Sequence, residues 1–304
     1  MIVEKIEERS DGLRAEVRGW LKTNTEATRI WFRWRGIISA ATGDAFLLLS
    51  LRFAMRHGHK LVLKGTASEH LINNLDDIQK LLRSLDRNLS MVDVEVEDVK
   101  PSETVEERFI QGVRNLKTGV MVTGGLDTFY ILQAHLSEID NFVYIRGFEN
   151  RSNQIPFQFH TFKSVKRSAS ELNINLVEVE TNLKDFYERN GERDHSLGIA
   201  AVGALLSSQL HKLYIPYNHA NAVLFSRKGQ DPELSDLVKN NHFRIIQTGI
   251  EVTKGEKVEA VVSNETVMET LRVCWENPNR AYNCGRCKRC SRTMSDSDIV
   301  HSLD

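Results

Sequence analysis

Apolar residues alternate with charged ones along the first part of this chain. Leu13, Ala15 and Val17 recur at every second position, as do Ile30, Phe32 and Trp34 among Arg29, Arg33 and Arg35. That period of two predicts half-buried strands. From Asp44 to Met55 the spacing becomes helical, and Lys60 to Lys64 reads as a short strand. Ser68 to Leu85 predicts a helix with Leu71, Ile72, Leu75, Ile78, Leu81 and Leu82 on its apolar side. Val92, Val94, Val96 and Val99 then alternate among acids. Together these elements predict an α+β domain over residues 1–115. Its expected linker is the acidic stretch from Val92 to Glu107, which contains Pro101 and Ser102.

The rhythm changes after residue 116. Val120, Met121 and Val122 form a short apolar run, expected to be a buried strand. Thr123, Gly124, Gly125, Leu126, Asp127 and Thr128 make a turn of mainly small residues, and helical spacing resumes with Phe129, Ile131, Leu132, Ala134 and Leu136. Further strands are expected over Asn141 to Phe148, Leu176 to Asn182 and Leu213 to Tyr217. Helices are expected over Phe157 to Leu172 and His195 to Leu210. Strands alternating with helices predict an α/β fold with a doubly wound parallel sheet over residues 116–304. Ligands of such sheets bind at the carboxyl ends of the strands. That rim would gather Thr123 to Thr128, Arg146, Thr181, Asn182, Asn218 and His219.

Strand, glycine turn and helix start is also the geometry that cradles phosphate, because glycines let the backbone approach and a helix N-terminus favours anions. The turn lacks the Gly-Lys-Ser/Thr ending of a Walker A loop. Arg146 reads either as a nucleotide or substrate contact or as a surface ion pair. His219 reads as an acid, base or phosphate ligand, or as a structural strand-end residue. Asp194, beside His195, reads as a helix N-cap. Lys254 and Lys257 lie in a Gly-containing stretch read as a loop, either reaching phosphates or simply solvated.

Composition narrows the class. The chain has 304 residues, a formal net charge of -1, 41% hydrophobic residues and 27% charged residues. That is an ordinary globular balance with enough length for a sizeable core. No apolar run approaches the roughly 20 residues that span a bilayer, and the charged first ten residues lack a signal-peptide core. Arg14, Arg18, Lys22, Arg29, Arg33, Arg35, Arg52, Arg56, Lys60 and Lys64 outnumber the acids between residues 11 and 65, interleaved with Trp20, Trp31 and Trp34. A solvated strand face is favoured there over a nucleic-acid interface, since the whole chain is near neutral.

All four cysteines fall between Cys274 and Cys290. Cys284, Cys287 and Cys290 are each two residues apart, which lets thiolates converge on one ion, and Gly285 frees the knuckle. With Cys274 they satisfy a tetrahedral zinc, with an iron–sulfur cluster or unligated thiols as the alternatives. Arg286, Lys288, Arg289 and Arg292 would offset the charge of four thiolates. Metal-bound thiols point to a reducing compartment, so a cytoplasmic location is expected.

The turn from Thr123 to Thr128 resembles the Ser-Gly-Gly-x-Asp-Ser loop of the PP-loop ATP pyrophosphatases, with Thr in place of both serines. Cys274 followed by Cys284, Cys287 and Cys290 is similar to the zinc site of the 7-cyano-7-deazaguanine synthases, PP-loop proteins of the adenine nucleotide alpha hydrolase-like group. The resemblance covers about residues 116 to 294 and leaves the N-terminal domain outside it. It implies a HUP/PP-loop fold with a zinc knot at 274–290, and ATP, Mg2+ and Zn2+ as cofactors. It also implies an ATP-dependent ligase or amidotransferase-like enzyme, which adenylates a carboxylate or amide, releases pyrophosphate and admits a nitrogen nucleophile. Thr123, Asp127 and Thr128 would be catalytic. Thr123 to Thr128, Arg146, Asn218, His219, Lys254 and Lys257 would bind nucleotide. The expected partners are a small-molecule or macromolecular substrate and an ammonia-supplying or acceptor protein; a homodimer is allowed and nucleic acid is not favoured. Sulfur transfer and non-catalytic nucleotide binding are the rival readings, the first wanting a reactive cysteine.

Overall fold

The alternating segments fold as strands. The computed structural model describes residues 1–11, 13–23, 26–36, 42–101, 116–148, 155–190, 195–216, 232–238, 243–274 and 282–295. β1 (Ile2–Ser10), β2 (Ala15–Lys22) and β3 (Ala27–Trp34) run antiparallel. In β2 the buried positions are Ala15, Val17, Gly19 and Leu21, the period-two pattern of a strand with one face on a core. Ile30, Phe32 and Trp34 of β3 are buried as well. β1 was not expected, because Glu4, Lys5, Glu7, Glu8 and Arg9 dominate its sequence. Its pairing with β2 and a single deeply buried side chain, Val3, hold it in place.

α1 (Gly43–His57) is buried continuously from Gly43 to Met55. It ends where Gly58 adopts a left-handed conformation, φ 62°, and its N–H reaches the carbonyls of Ala54 and Met55. β4 (Leu61–Ser68) lies parallel to β1 and to β5 (Val94–Lys100), with α2 (Glu69–Leu85) between them in sequence. Ser68 caps α2 by accepting from the Leu71 amide.

The second half has the expected β6 (Lys117–Met121), α3 (Leu126–Ala134), β7 (Asn141–Arg146), α4 (Ile155–Glu171) and β8 (Asn175–Thr181), then an unexpected α5 (Leu183–Arg189), and the expected α6 (His195–Leu206) and β9 (Leu210–Pro216). Further elements were not expected: α7 (Pro232–Leu237), β10 (Arg244–Thr248), α8 (Lys254–Val262), α9 (Glu265–Thr270) and α10 (Lys288–Ser295). The fold is α/β with a mostly parallel sheet. Its ten described strands are ordered β10-β9-β6-β7-β8-β3-β2-β1-β4-β5.

One sheet therefore runs through both halves of the chain. The join is the antiparallel pairing of β3 with β8, where Phe32 faces Thr181 and Trp34 faces Val179. Asn182 extends it, accepting from the Trp31 amide at 3.0 Å and donating to the Arg29 carbonyl at 2.8 Å. The sheet separates two apolar layers. Met121, Val143, Ile145, Val177 and Val179 share one layer with α1, α5 and α6. Val120, Val122, Phe142 and Tyr144 share the other with α3, α4, α8 and the cysteine segment. Strands covered on both faces explain the unbroken apolar runs of β6 and β7. Among the described residues, no helix is long and apolar enough to cross a membrane.

Candidate functional site

The glycine turn follows β6, which pairs with β7 on one side and β9 on the other. Chain order reverses at β6, because β7 and β8 step outward one way and β9 and β10 the other. Ligand crevices of open parallel sheets form at such reversals. Gly124 has φ +77°, a left-handed conformation that L side chains rarely adopt, and its carbonyl accepts from the Arg272 amide at 2.7 Å. Gly125 is the N-cap of α3 with φ -84° and provides no side-chain cap. No side chain caps the first amides of α3, and a helix N-terminus of this kind attracts an anion.

The side chains of the turn divide by direction. Thr123 is half-buried, and its hydroxyl lies 3.5 Å from where a Cβ on Gly125 would sit. Thr128 is 1% exposed and donates to the Met121 carbonyl at 3.2 Å, tying the first turn of α3 back to β6. Leu126 is buried. Asp127 receives a hydrogen bond at 2.6 Å from Nζ of Lys257, whose side chain is 2% exposed.

Lys254 and Lys257 sit on a helix, which corrects their expected placement in a loop. Thr253 and Glu256 form a reciprocal capping box that starts α8. The signature Thr253-Lys-Gly-Glu256 was legible as a helix start, but Gly255 beside it reads as a breaker. Lys254 donates to Thr293 of α10 at 2.8 Å. Arg146 lies against the acids of β8: it donates to Glu178, sits 3.2 Å from Glu180, and stacks over Phe162 with 4.8 Å to the ring centroid. Burial raises the Glu178 carboxyl above its ordinary range while Arg146 opposes that shift. Thr181 and Asn182 close the join with β3 and the start of α5. Asn218, His219 and Asp194 lie outside the described residues.

Five of the ten basic residues between residues 11 and 65 are matched by acids. Arg18 pairs with Glu7, Lys22 with Glu4, Arg33 with Glu16, Arg52 with Asp86 and Lys60 with Glu95. Four of these acids, Glu4, Glu7, Asp86 and Glu95, lie outside the window in which the charge bias is read. The sheet brings them to it.

The four cysteines do converge. Their sulfur atoms all lie within 4.8 Å of one another, with Cys284 to Cys290 and Cys274 to Cys287 at 3.9 Å. A tetrahedron with Zn–S bonds of about 2.3 Å needs sulfurs about 3.8 Å apart. Gly285 takes φ +67° in the knuckle, and the amides of Cys287 and Cys290 donate to the sulfurs of Cys284 and Cys287 at 3.3 and 3.4 Å. The amides of Arg286 and Cys287 lower the Cys284 thiol to about 6, whereas burial pushes Cys290 up to about 12. Four thiols packed this closely fit a cation that lets all of them ionise.

The knot touches the turn. Arg272 is 9% exposed and binds Gly124 through its amide, the Cys274 carbonyl through Nε at 3.3 Å and Thr161 through Nη1 at 3.0 Å. Asn283 accepts from the amides of Val273 and Cys274, and Tyr282 donates to the Thr270 carbonyl at 2.9 Å. The Tyr282 hydroxyl would lie 3.4 Å from a Cβ on Gly124. Sequence reading missed the role of Arg272, which neither motif contains, and that of Tyr282, which stands at the head of the cysteine segment. No protein-family model matches the chain, and no curated protein matches it.

Proposed function

We propose that the chain is an ATP-dependent enzyme of the PP-loop ATP pyrophosphatase type, activating a carboxylate or amide oxygen for attack by nitrogen. The observation that carries this reading is the position of the glycine turn. It follows the central strand at the reversal of a doubly wound sheet, with α3 starting on an uncapped N-terminus. Strand order β8-β7-β6-β9-β10 supports the HUP/PP-loop assignment.

In this reading the amides of Gly125, Leu126 and Asp127 and the hydroxyl of Thr123 hold the phosphates. Thr128 keeps the first turn of α3 against β6. Pre-organised donors of this kind stabilise charge as it moves onto the leaving pyrophosphate, and magnesium bound with ATP supplies further neutralisation. The substrate oxygen attacks the α-phosphorus as its bond to pyrophosphate breaks. An amine then attacks the activated carbon, and AMP leaves with its oxygen. Cys274, Cys284, Cys287 and Cys290 would hold a zinc ion with no position open to substrate, so its part would be structural. Because the chain has four cysteines and all lie in the knot, the sulfur-transfer reading lacks a spare thiol.

The test is pyrophosphate release from ATP with a panel of carboxylated purines, sugars and amino acids plus ammonia. Equal release of AMP and pyrophosphate with one acceptor is the expected result. ATP binding without turnover by any acceptor would favour a non-catalytic nucleotide-binding protein.

A further inference from the structure

Lys257 is a buried cation that stability alone does not explain. Removing a lysine ammonium from water is costly, and an apolar side chain of similar volume is often as stable or more so. Yet the second turn of α8 holds Lys257 with its side chain 2% exposed, aimed at Asp127 in the first turn of α3. The ring of Tyr130 lies 5.8 Å from its Nζ. α8 is itself fixed at the capping box and through Lys254 to α10.

The charges explain what the lysine does. A helix N-terminus carries roughly half a positive charge. The Asp127 carboxylate in the first turn more than cancels it, leaving the turn repulsive to phosphate. Lys257 restores the balance, so the same amides attract an anion again. Arg272 also lies beside the turn, but it is present in every variant considered below. Asp127 remains partly open, with 34% of its side chain exposed, so its charge bears on whatever occupies the crevice.

We propose that Lys257 is a positioning residue. It holds Asp127 at a fixed place in the turn and cancels its charge, which makes the turn accept a polyphosphate. The inference rests on the nucleotide reading of the turn and adds how the turn's charge is set.

The experiment measures calorimetric affinity for ATP and for inorganic tripolyphosphate, with and without magnesium. Wild type, Lys257→Met, Lys257→Arg and the double variant Lys257→Met/Asp127→Asn are compared, with urea midpoint and zinc content as fold controls. Lys257→Met should weaken magnesium-free tripolyphosphate binding at least about tenfold, because it removes the ammonium 2.6 Å from the carboxylate. Lys257→Arg should recover part of the loss. The double variant should recover most of it, since both charges are gone and the helix N-terminus remains. A lysine that merely packed α8 would give no recovery in the double variant, and that result overturns the proposal. So does equal binding by wild type and a folded Lys257→Met. If wild type binds tripolyphosphate but not ATP, the nucleotide reading falls and the role of Lys257 stands. If it binds neither, both fall.

Discussion

Two adjacent glycines in the turn do different work. Gly124 needs its left-handed conformation, whereas Gly125 has φ -84°, and among the described residues a Cβ there would meet only Thr123 Oγ1 at 3.5 Å and the Arg272 carbonyl at 4.0 Å. Gly124→Ala should therefore lose about 1–2 kcal/mol of stability, read from the urea midpoint. Gly125→Ala should keep its stability and lose ATP affinity, because its methyl enters the phosphate side of the turn. Equal effects of the two substitutions on both measurements would contradict this division. A second residue-scale prediction concerns Asp44, which accepts from the Ser68 amide at 2.7 Å. Burial raises its carboxyl from 3.8 to about 6. The folded state then holds a proton that the unfolded state releases, so stability falls as pH rises from about 4 to 6. Asp44→Asn should remove that fall and add up to about 3 kcal/mol at pH 7. Urea titrations at pH 4 and pH 7 check it. An unchanged slope for Asp44→Asn would mean that another group titrates.

At the scale of elements, periodicity found most of the described strands and half of the described helices, and failed where local signals conflicted. β2 to β9, α1 to α4 and α6 follow stretches with a clean period of two or 3.6 or an unbroken apolar run. β1 did not show, because its pairing buries backbone more than side chains and its charges face water. α8 did not show because a glycine sits in its first turn, although its capping box was written in the sequence. That box gives an element-scale prediction. Thr253→Ala removes the acceptor for the Glu256 amide and should cost about 1 kcal/mol. Since α8 carries Lys257, the same variant should lose ATP affinity too, while Ser84→Ala on the exposed side of α2 should lose neither. A Thr253→Ala protein with full affinity would show that α8 need not be held at its start to serve the turn.

At the scale of the molecule, the cysteine spacing made the knot legible, and the glycine turn was legible as a strand–turn–helix. Their proximity was not. Residue 124 and residue 272 are far apart in sequence, and only the folded chain brings the Arg272 amide to the Gly124 carbonyl. The same holds for the sheet: β3 and β8 are each readable, but no local signal says that they pair. The domain boundary expected near residue 115 lies outside the described residues, but the first part of its expected linker is no linker: Val94–Lys100 is the strand β5, paired with β4.

The contact between knot and turn leads to a prediction that neither motif makes alone. Binding of zinc to such sites is coupled to folding, with apparent energies of about 10–16 kcal/mol in small peptides. Loss of the ion should first loosen the segment that the ligands hold, from Leu271 to Cys274 and from Tyr282 to Cys290. That segment provides the Arg272 amide for Gly124 and the Asn283 side-chain Oδ1 for the amides of Val273 and Cys274. α10 also carries Cys290 and Thr293, the partner of Lys254 on α8. Cys287→Ser, or treatment of the wild type with a chelator, should therefore remove about one zinc per chain, as measured by metal analysis. The melting temperature should fall by roughly 10 °C if about 3 kcal/mol is lost. ATP affinity should fall in the same sample at a temperature where circular dichroism still shows a folded chain. The sheet should survive, since both apolar layers contain many side chains remote from the knot. A metal-free protein that remained folded and bound ATP as tightly as before would separate the two sites and limit zinc to the C-terminal segment.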